Sequence, residues 1–188
     1  DTWQRHASGT LHSEGSTVSS EDIPNWDAFM QQALEVSPQV CYQHLGQREI
    51  YYGDSFRAIR QVFVHGRQAF SHLRLSDALL PRLKEFSLHP VLLDACLQSL
   101  AAIFGSETLE DDNVISVESV ITYLPAAIES VQLHVSSLHQ AEILSYVEIT
   151  AHEGLPNSGW LLANLELMSL SGERLVSIKG LRLQSATK

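Results

Sequence analysis

The stretch HPVLLDACLQSL, residues 89–100, contains residues whose types and spacing could do chemistry. An acid, Asp94, lies inside an apolar run, and Gln98 follows four residues later. On a helix this spacing places both side chains on one face, where the amide can hydrogen-bond the carboxyl. Burial disfavours the charged form of a carboxyl and raises its pKa, which suits a general acid. The alternative is an ordinary acid near the start of a helix, and spacing alone does not separate the two.

A helix is predicted to position these residues. Apolar residues recur over residues 90–104 at i, i+4, i+7 and i+11, which predicts one long helix with a core-facing stripe. The residues of this stripe are Leu93, Leu97, Leu100 and Phe104. His89 and Pro90 come just before it and are interpreted as structural residues that fix the start of the helix. A catalytic base at His89 is the alternative.

Segments typical of strands lie on both sides of the helix. Residues 57–76 predict two strands around the turn His65-Gly66-Arg67. After the helix, turn signals separate five further strand-like segments, at 114–124, 128–138, 142–152, 160–170 and 173–185. An antiparallel sheet wrapped around one central helix is a hot-dog fold, so the predicted fold class is α+β.

Composition narrows the classes of partner. The formal net charge is −10 and the pI is about 5.2, which argues against nucleic acid and anionic membranes as partners. No apolar run approaches the roughly 18 residues of a membrane span. The two cysteines, Cys41 and Cys96, indicate no disulfide framework, and a reducing, cytoplasmic location is expected. No spacing of His, Cys, Asp or Glu indicates a metal site.

Four motifs resemble those of one family. HPVLLDACLQSL resembles the HPxxLDxxxQ motif in the second half of the dehydratase domain of modular type I polyketide synthases. YYGDSF resembles the YGPxF motif of that domain, with Asp54 where the family usually has Pro. YLPAAIESVQLH resembles the LP segment that follows the helix, and WQRHASGTL resembles the strand that closes the first half.

The resemblance implies a division of the chain. The family domain is a double hot dog, and this chain would be its C-terminal half. Residues 1–12 would be the last strand of the first hot dog, 13–50 a linker with short helices, and 51–188 the C-terminal hot dog. The first half of the family domain carries a catalytic His in an HxxxGxxxxP motif. No His of this chain stands in that pattern, so we expect the chain to be inactive alone.

The resemblance also implies an activity and a site. The reaction is removal of water from a 3-hydroxyacyl chain carried on the phosphopantetheine arm of an acyl carrier protein, with no other cofactor and no metal. Asp94 would be the general acid and Gln98 would orient it. Tyr52, Phe56 and Pro125 would bind substrate as pocket walls. The expected partners are the N-terminal half with its catalytic His, the carrier protein, and a second copy in a homodimeric synthase.

Three other functions remain open for the same fold. Relatives that migrate a double bond or close a pyran ring keep the His but often alter the Asp. Because Asp94 and Gln98 are both present, dehydration is favoured over these two. The third alternative, of a different class, is a non-catalytic structural or dimerising module. An HxxxGxxxxP motif upstream of residue 1 would favour catalysis over that role.

Overall fold

The protein is described from a computed structural model. The model describes residues 7–12, 23–105, 122–136, 138–153 and 159–186. Its helices are α1 Trp26–Met30, α2 Pro38–Gln47, α3 Pro90–Gln98 and α4 Leu100–Gly105, with 3₁₀ helices at Asp54–Phe56 and Asp77–Glu85. Its strands are β1 Leu34–Val36, β2 Ile59–His65, β3 Gln68–Arg74, β4 Thr122–Ala127, β5 Ser130–Leu133, β6 Glu142–Glu153, β7 Trp160–Met168 and β8 Arg174–Ala186.

The eight described strands form one antiparallel sheet. Its order is β1-β2-β3-β6-β7-β8-β4, and β5 also pairs with β8. The turn between β7 and β8 contains Gly172 at φ +85°, a backbone conformation that side chains with a Cβ rarely adopt. The hairpin of β2 and β3 lies where residues 57–76 predicted it. The sheet packs on α3, which confirms the predicted hot-dog fold.

The single helix predicted over residues 90–104 is divided at Ser99 into α3 and α4, and a stripe of buried residues fixes both to the inner face of the sheet. The stripe consists of Leu92, Ala95, Cys96, Ser99, Ala102 and Ile103, all 0% exposed. Of the predicted stripe Leu100 is buried, but Leu93 and Leu97 are only partly buried at the margin of the core, so the true stripe is rotated by about one residue. Both the predicted and the observed stripe are rich in apolar residues. The observed stripe was missed because it contains the polar residue Ser99, which a search for apolar spacing does not count.

A buried polar seam joins α3 to the sheet. Ser71 and Ser145 face each other across β3 and β6. The Ser71 hydroxyl donates to Ser99 Oγ at 2.9 Å, and the Ser145 hydroxyl lies 2.9 Å from Cys96 Sγ. Ser99 Oγ donates in turn to the carbonyl of Ala95 at 3.1 Å, next to the break between α3 and α4. These directional contacts fix the rotation of α3 against the sheet.

The outer face of the sheet carries a second, aromatic cluster. Phe63, Phe70 and Tyr146 lie side by side on β2, β3 and β6, and α1 covers them. Trp26 packs edge-on against Phe63 and Phe70, with ring centroids 5.4 and 4.8 Å away. Because α1 caps this cluster, the segment around it is part of the fold.

The first 50 residues differ in detail from the sequence prediction. Residues 7–12 form no strand, and the rest of the strand predicted there lies outside the described residues. The segment 13–50, predicted as a linker with short helices, also contributes β1, which pairs with β2 in the sheet. Strand β1 has only three residues, which is too short for an alternation of apolar and polar residues to reveal it in the sequence. Of the strand predicted at 114–124, only the last three residues are described, as the start of β4.

Candidate active site

The start of helix α3 is set by His89 and Pro90. His89 is the N-cap, and its Nδ1 accepts a hydrogen bond from the backbone N–H of Val91 at 3.3 Å. The His89 side chain is buried against Phe86, with ring centroids 5.1 Å apart, and burial lowers its pKa. Pro90 at the first helical position lacks the N–H that would be unpaired there. His89 thus occupies the structural position that the sequence predicted.

Asp94 lies on the side of α3 that faces away from the sheet. Its carboxyl is half-buried, and Oδ2 accepts a hydrogen bond from Gln98 Nε2 at 2.6 Å. The same Gln98 nitrogen donates to the backbone carbonyl of Phe56 at 3.0 Å. Gln98 therefore links the acid to the segment before β2. Its other amide atom, Oε1, is buried and has no hydrogen-bond partner among the described residues.

Tyr52 completes the group around the acid. Burial and the neighbouring Asp94 carboxyl raise the pKa of the Tyr52 phenol to about 12, so it is protonated and able to donate. Burial raises the pKa of Asp94 above its ordinary value of 3.8, while hydrogen bonds from Gln98 and Tyr52 oppose that rise. Burial is the largest of these effects. No described ion pair reaches Asp94, so no cation offsets its desolvation.

The other predicted substrate-binding residues lie in different positions. The Phe56 ring is 42% exposed, and the contact of this residue with Gln98 comes from its backbone carbonyl. Pro125 is exposed on β4 opposite Leu183, and no described contact joins it to Asp94. The Phe56 carbonyl has no signal in the sequence, because any residue type supplies the same backbone acceptor.

A second residue missed by the sequence analysis is Tyr42 on α2. Its hydroxyl accepts from the backbone N–H of Ile59 at 3.3 Å, and its ring lies 6.3 Å from that of Tyr52. Tyr42 thereby holds the Tyr52 segment against the start of β2. Its place on α2, nine residues before the YYGDSF motif, gave no sign of this contact.

A separate buried carboxyl lies on β7. Glu166 Oε2 accepts from the Ser177 hydroxyl at 2.5 Å, and Ser177 Oγ contacts His134 Nε2 at 2.8 Å. Arg174 Nε and Lys179 Nζ lie 3.4 and 3.3 Å from the two Glu166 oxygens. Here two cations surround one carboxylate, an arrangement that ties β7 to β8.

Other common site types find no support in the described residues. Burial raises the pKa of Cys41 to about 11 and of Cys96 to about 12, so neither is a thiolate nucleophile at neutral pH. Within the described ranges no three His, Cys, Asp or Glu side chains are grouped to hold a metal ion. Among the described residues, no single helix is long and apolar enough to cross a membrane. One pair, Asp77–Glu85 with Pro90–Phe104, passes by length and composition but is bent by 118°.

Comparison with known proteins identifies the family. A sequence model of a protein family, described as "Polyketide synthase dehydratase N-terminal domain", matches residues 27–188. The chain therefore belongs to the polyketide synthase dehydratase family. The description names the N-terminal domain, whereas the motif resemblance implied the C-terminal half.

The relatives are long synthases. The chain is 32% identical to polyketide synthase GfsE of Streptomyces halstedii over 113 residues, which is 58% of this chain and 3% of the relative. It is 32% identical to mycoketide-CoA synthase of Mycobacterium tuberculosis (strain ATCC 25618 / H37Rv) over 108 residues, 57% of this chain and 2% of the relative. The chain therefore spans a small part of these proteins.

Solved dehydratase domains share the fold. The domain from the CurK module of curacin polyketide synthase superposes with a TM-score of 0.71 at 24% identity, covering 92% of this chain and 55% of that one. The domain of RzxB from Pseudomonas fluorescens gives 0.68 at 23%, covering 85% and 52%. The chain thus spans about half of each solved domain.

Proposed function

We propose that this chain supplies the general acid of a polyketide synthase dehydratase, which removes water from a 3-hydroxyacyl chain on an acyl carrier protein. The observation that carries the proposal is the Asp94 group. Its carboxyl is half-buried without a cation, burial raises its pKa, and Gln98 and Tyr52 hold it in place. A carboxyl that retains its proton can protonate a departing hydroxyl.

We also propose roles for the neighbours of the acid. Gln98 orients the acid, because its Nε2 donates both to Asp94 and to the backbone carbonyl of Phe56. Tyr52 donates to the Asp94 carboxyl and forms one wall of the site. The base that removes the proton next to the thioester carbonyl is a His on the partner half.

We further propose that this is the C-terminal half of the double hot dog. The HPVLLDACLQSL helix supports this assignment, because the family motif that it resembles belongs to the second half. The description of the matching family model speaks for the N-terminal half instead. The parent sequence decides between them: an HxxxGxxxxP motif upstream of residue 1 supports our assignment, and the same motif downstream of residue 188 contradicts it.

Solved relatives support a reaction that needs both groups. A CurK dehydratase with an Asp replaced by Asn is described as inactive, and so is one with a His replaced by Phe. In the proposed assembly this chain provides the Asp, an N-terminal half provides the His, and a homodimeric cytoplasmic synthase contains both. The substrate arrives on the phosphopantetheine arm of the carrier protein, with no other cofactor.

An assay of the completed domain tests the proposal. The chain is combined with its N-terminal half and given a 3-hydroxyacyl carrier protein, and the enoyl product is measured. Asp94→Asn should lower turnover by ~10²–10⁴-fold, as loss of a general acid does. Asp77→Asn, the same change at an exposed acid of the 3₁₀ helix, is the control. Full turnover by Asp94→Asn, or product from this chain alone, would contradict the assignment of roles.

A further inference from the structure

An open groove of about 480 Å³ lies between helix α2 and the start of β2. Its lining carries two cations and no acid. The polar and aromatic side chains of the lining are those of Gln39, Tyr42, Gln43, Tyr51, Arg57 and Arg60. The Tyr51 side chain is 81% exposed, so the groove is accessible to a large partner.

The two arginines form no ion pair among the described residues. Arg57 Nε donates to the backbone carbonyl of Tyr52 at 3.0 Å, and its guanidinium lies 5.3 Å from the centre of the Tyr42 ring. These contacts hold the side chain in place and leave its charge without a described carboxylate partner. Asp54, three residues earlier, makes no described ion pair with it. A guanidinium presents five donors in a planar fork that suits carboxylates.

A β-bulge places Arg60 on the outside of the sheet. Ile59 pairs with Leu73 and Gln61 with His72, so Arg60 is the extra residue between two pairs. As a result two successive residues, Arg60 and Gln61, are exposed, where regular alternation would bury one of them. Bulges of this kind redirect a side chain, and they occur often beside functional sites.

This local charge contrasts with the rest of the molecule. The chain carries a net charge of −10, and several of its cations are neutralised by carboxylates. Arg74, Arg82, Arg174 and Lys179 each form an ion pair. A pair of exposed arginines without acids is therefore a distinct positive site on an acidic protein.

The groove adjoins the candidate active site through one residue. Tyr52 accepts from Arg57 through its backbone carbonyl and contacts Asp94 through its hydroxyl. A protein seated in the groove would therefore lie one residue away from the acid. Its charge complement is an acidic surface, since opposite charges steer association and fix orientation.

We propose that the groove with Arg57 and Arg60 docks the acidic surface of the acyl carrier protein that delivers substrate to Asp94. The inference rests on the proposed function, because that function requires a carrier. It commits to carboxylates of the carrier protein as the bound groups. Docking of the phosphate of the pantetheine arm is a different outcome, which the experiment separates.

The test is an NMR titration of the ¹⁵N-labelled chain with three probes. These are a carrier protein without its arm, the same protein with the arm, and free pantetheine 4′-phosphate. Both carrier forms should shift the amides of Gln43, Tyr51 and Arg60 in a salt-sensitive way. The double variant Arg57→Glu/Arg60→Glu should weaken binding by about tenfold or more. Arg182→Glu on β8, which matches the charge change of Arg60→Glu alone, should bind as the unchanged chain does.

Arg60→Glu alone gives a second test, because the Arg60 side chain makes no described hydrogen bond or ion pair, whereas Arg57 hydrogen-bonds the Tyr52 carbonyl. Equal carrier binding by this variant and by Arg182→Glu would overturn the proposal. So would binding of free pantetheine phosphate but not of the armless carrier, or no binding by the unchanged chain. The two proposals can also fail separately. If carrier binding depends on the arginines but dehydration does not need Asp94, the docking proposal is supported and only the proposed function is contradicted.

Discussion

Asp94 and Glu166 are two carboxyls withdrawn from water in opposite surroundings. Glu166, with a side chain 4% exposed, has Arg174 and Lys179 at its two oxygens and the Ser177 hydroxyl as donor. Asp94 has the amide of Gln98 and the phenol of Tyr52 as donors and no described cation. Glu166 therefore joins β7 to β8 through ion pairs, whereas Asp94 is in surroundings that raise its pKa.

The difference shows how one small domain can keep structural and chemical carboxyls apart. Cations stabilise the charged form, and burial without cations stabilises the neutral form. Acid and base roles in enzymes commonly follow from such contrasts between environments. The two groups also lie on different faces of the sheet, since Glu166 neighbours the outer aromatic cluster through Tyr146.

The largest expected effect is on the structural side of the comparison. Glu166→Gln leaves the partly buried Arg174 and Lys179 without their carboxylate, and breaking such a pair destabilises by about 3–5 kcal/mol. Urea denaturation measures the loss. Glu85→Gln, which breaks an exposed pair with Arg82, should cost at most about 1 kcal/mol. Equal losses in the two variants would remove the contrast.

The helix that carries Asp94 provides the next prediction. Leu92→Ala empties a site that is 0% exposed and should destabilise by about 2–5 kcal/mol. Leu97→Ala, at the margin of the core, should cost clearly less in the same denaturation experiment. A larger loss at Leu97 would mean that α3 is rotated and that Asp94 faces elsewhere.

Asp94→Asn should affect stability in the opposite direction to Glu166→Gln at neutral pH. Because burial raises the pKa of Asp94, the stability linked to its protonated form is present below the ordinary pKa. That stability is lost as pH rises through the raised pKa. The Asn side chain cannot ionise, so the variant should have the higher Tm at about pH 7 and a similar Tm near about pH 4. A lower Tm at neutral pH would show that the carboxylate is stabilised by the fold.

The smallest effects concern the donors around Asp94. Hydrogen bonds from Gln98 and Tyr52 lower the pKa of this carboxyl, so removing either donor should raise that pKa further. Gln98→Leu should act more strongly than Tyr52→Phe, since Gln98 has the larger effect. Carboxyl ¹³C chemical shifts followed over pH report both changes. A fall in the pKa of Asp94 in either variant would contradict the proposed network.

Much of the fold was predictable because its patterns are local. Residues 57–76 contain a strand, a short turn and a strand in sequence, and the structure has β2 and β3 there. The rotation of α3 was not predictable, because the buried stripe includes Ser99, whose polarity is accommodated by Ser71. That partner lies 28 residues away in sequence.

The contacts around the two carboxyls were likewise predictable only in part. The contact of Asp94 with Gln98 follows from helical spacing, and the structure has that hydrogen bond. The Glu166 network was missed because it depends on the register between β7 and β8 and on His134, which lies 43 residues from Ser177 in sequence. Pairing of β5 and β7 with β8 brings His134, Glu166 and Ser177 together. The register between paired strands cannot be predicted from the local sequence pattern of one strand.

The most direct test of the central claim is the pKa of Asp94 itself. The γ-carboxyl of Asp94 in the 188-residue chain is titrated by ¹³C NMR and assigned by comparison with Asp94→Asn. The account predicts a midpoint clearly above the ordinary 3.8, which falls toward that value when the chain is unfolded in urea. A midpoint at or below 3.8 in the folded chain would mean that the carboxylate is the favoured form, and Asp94 would not be the general acid.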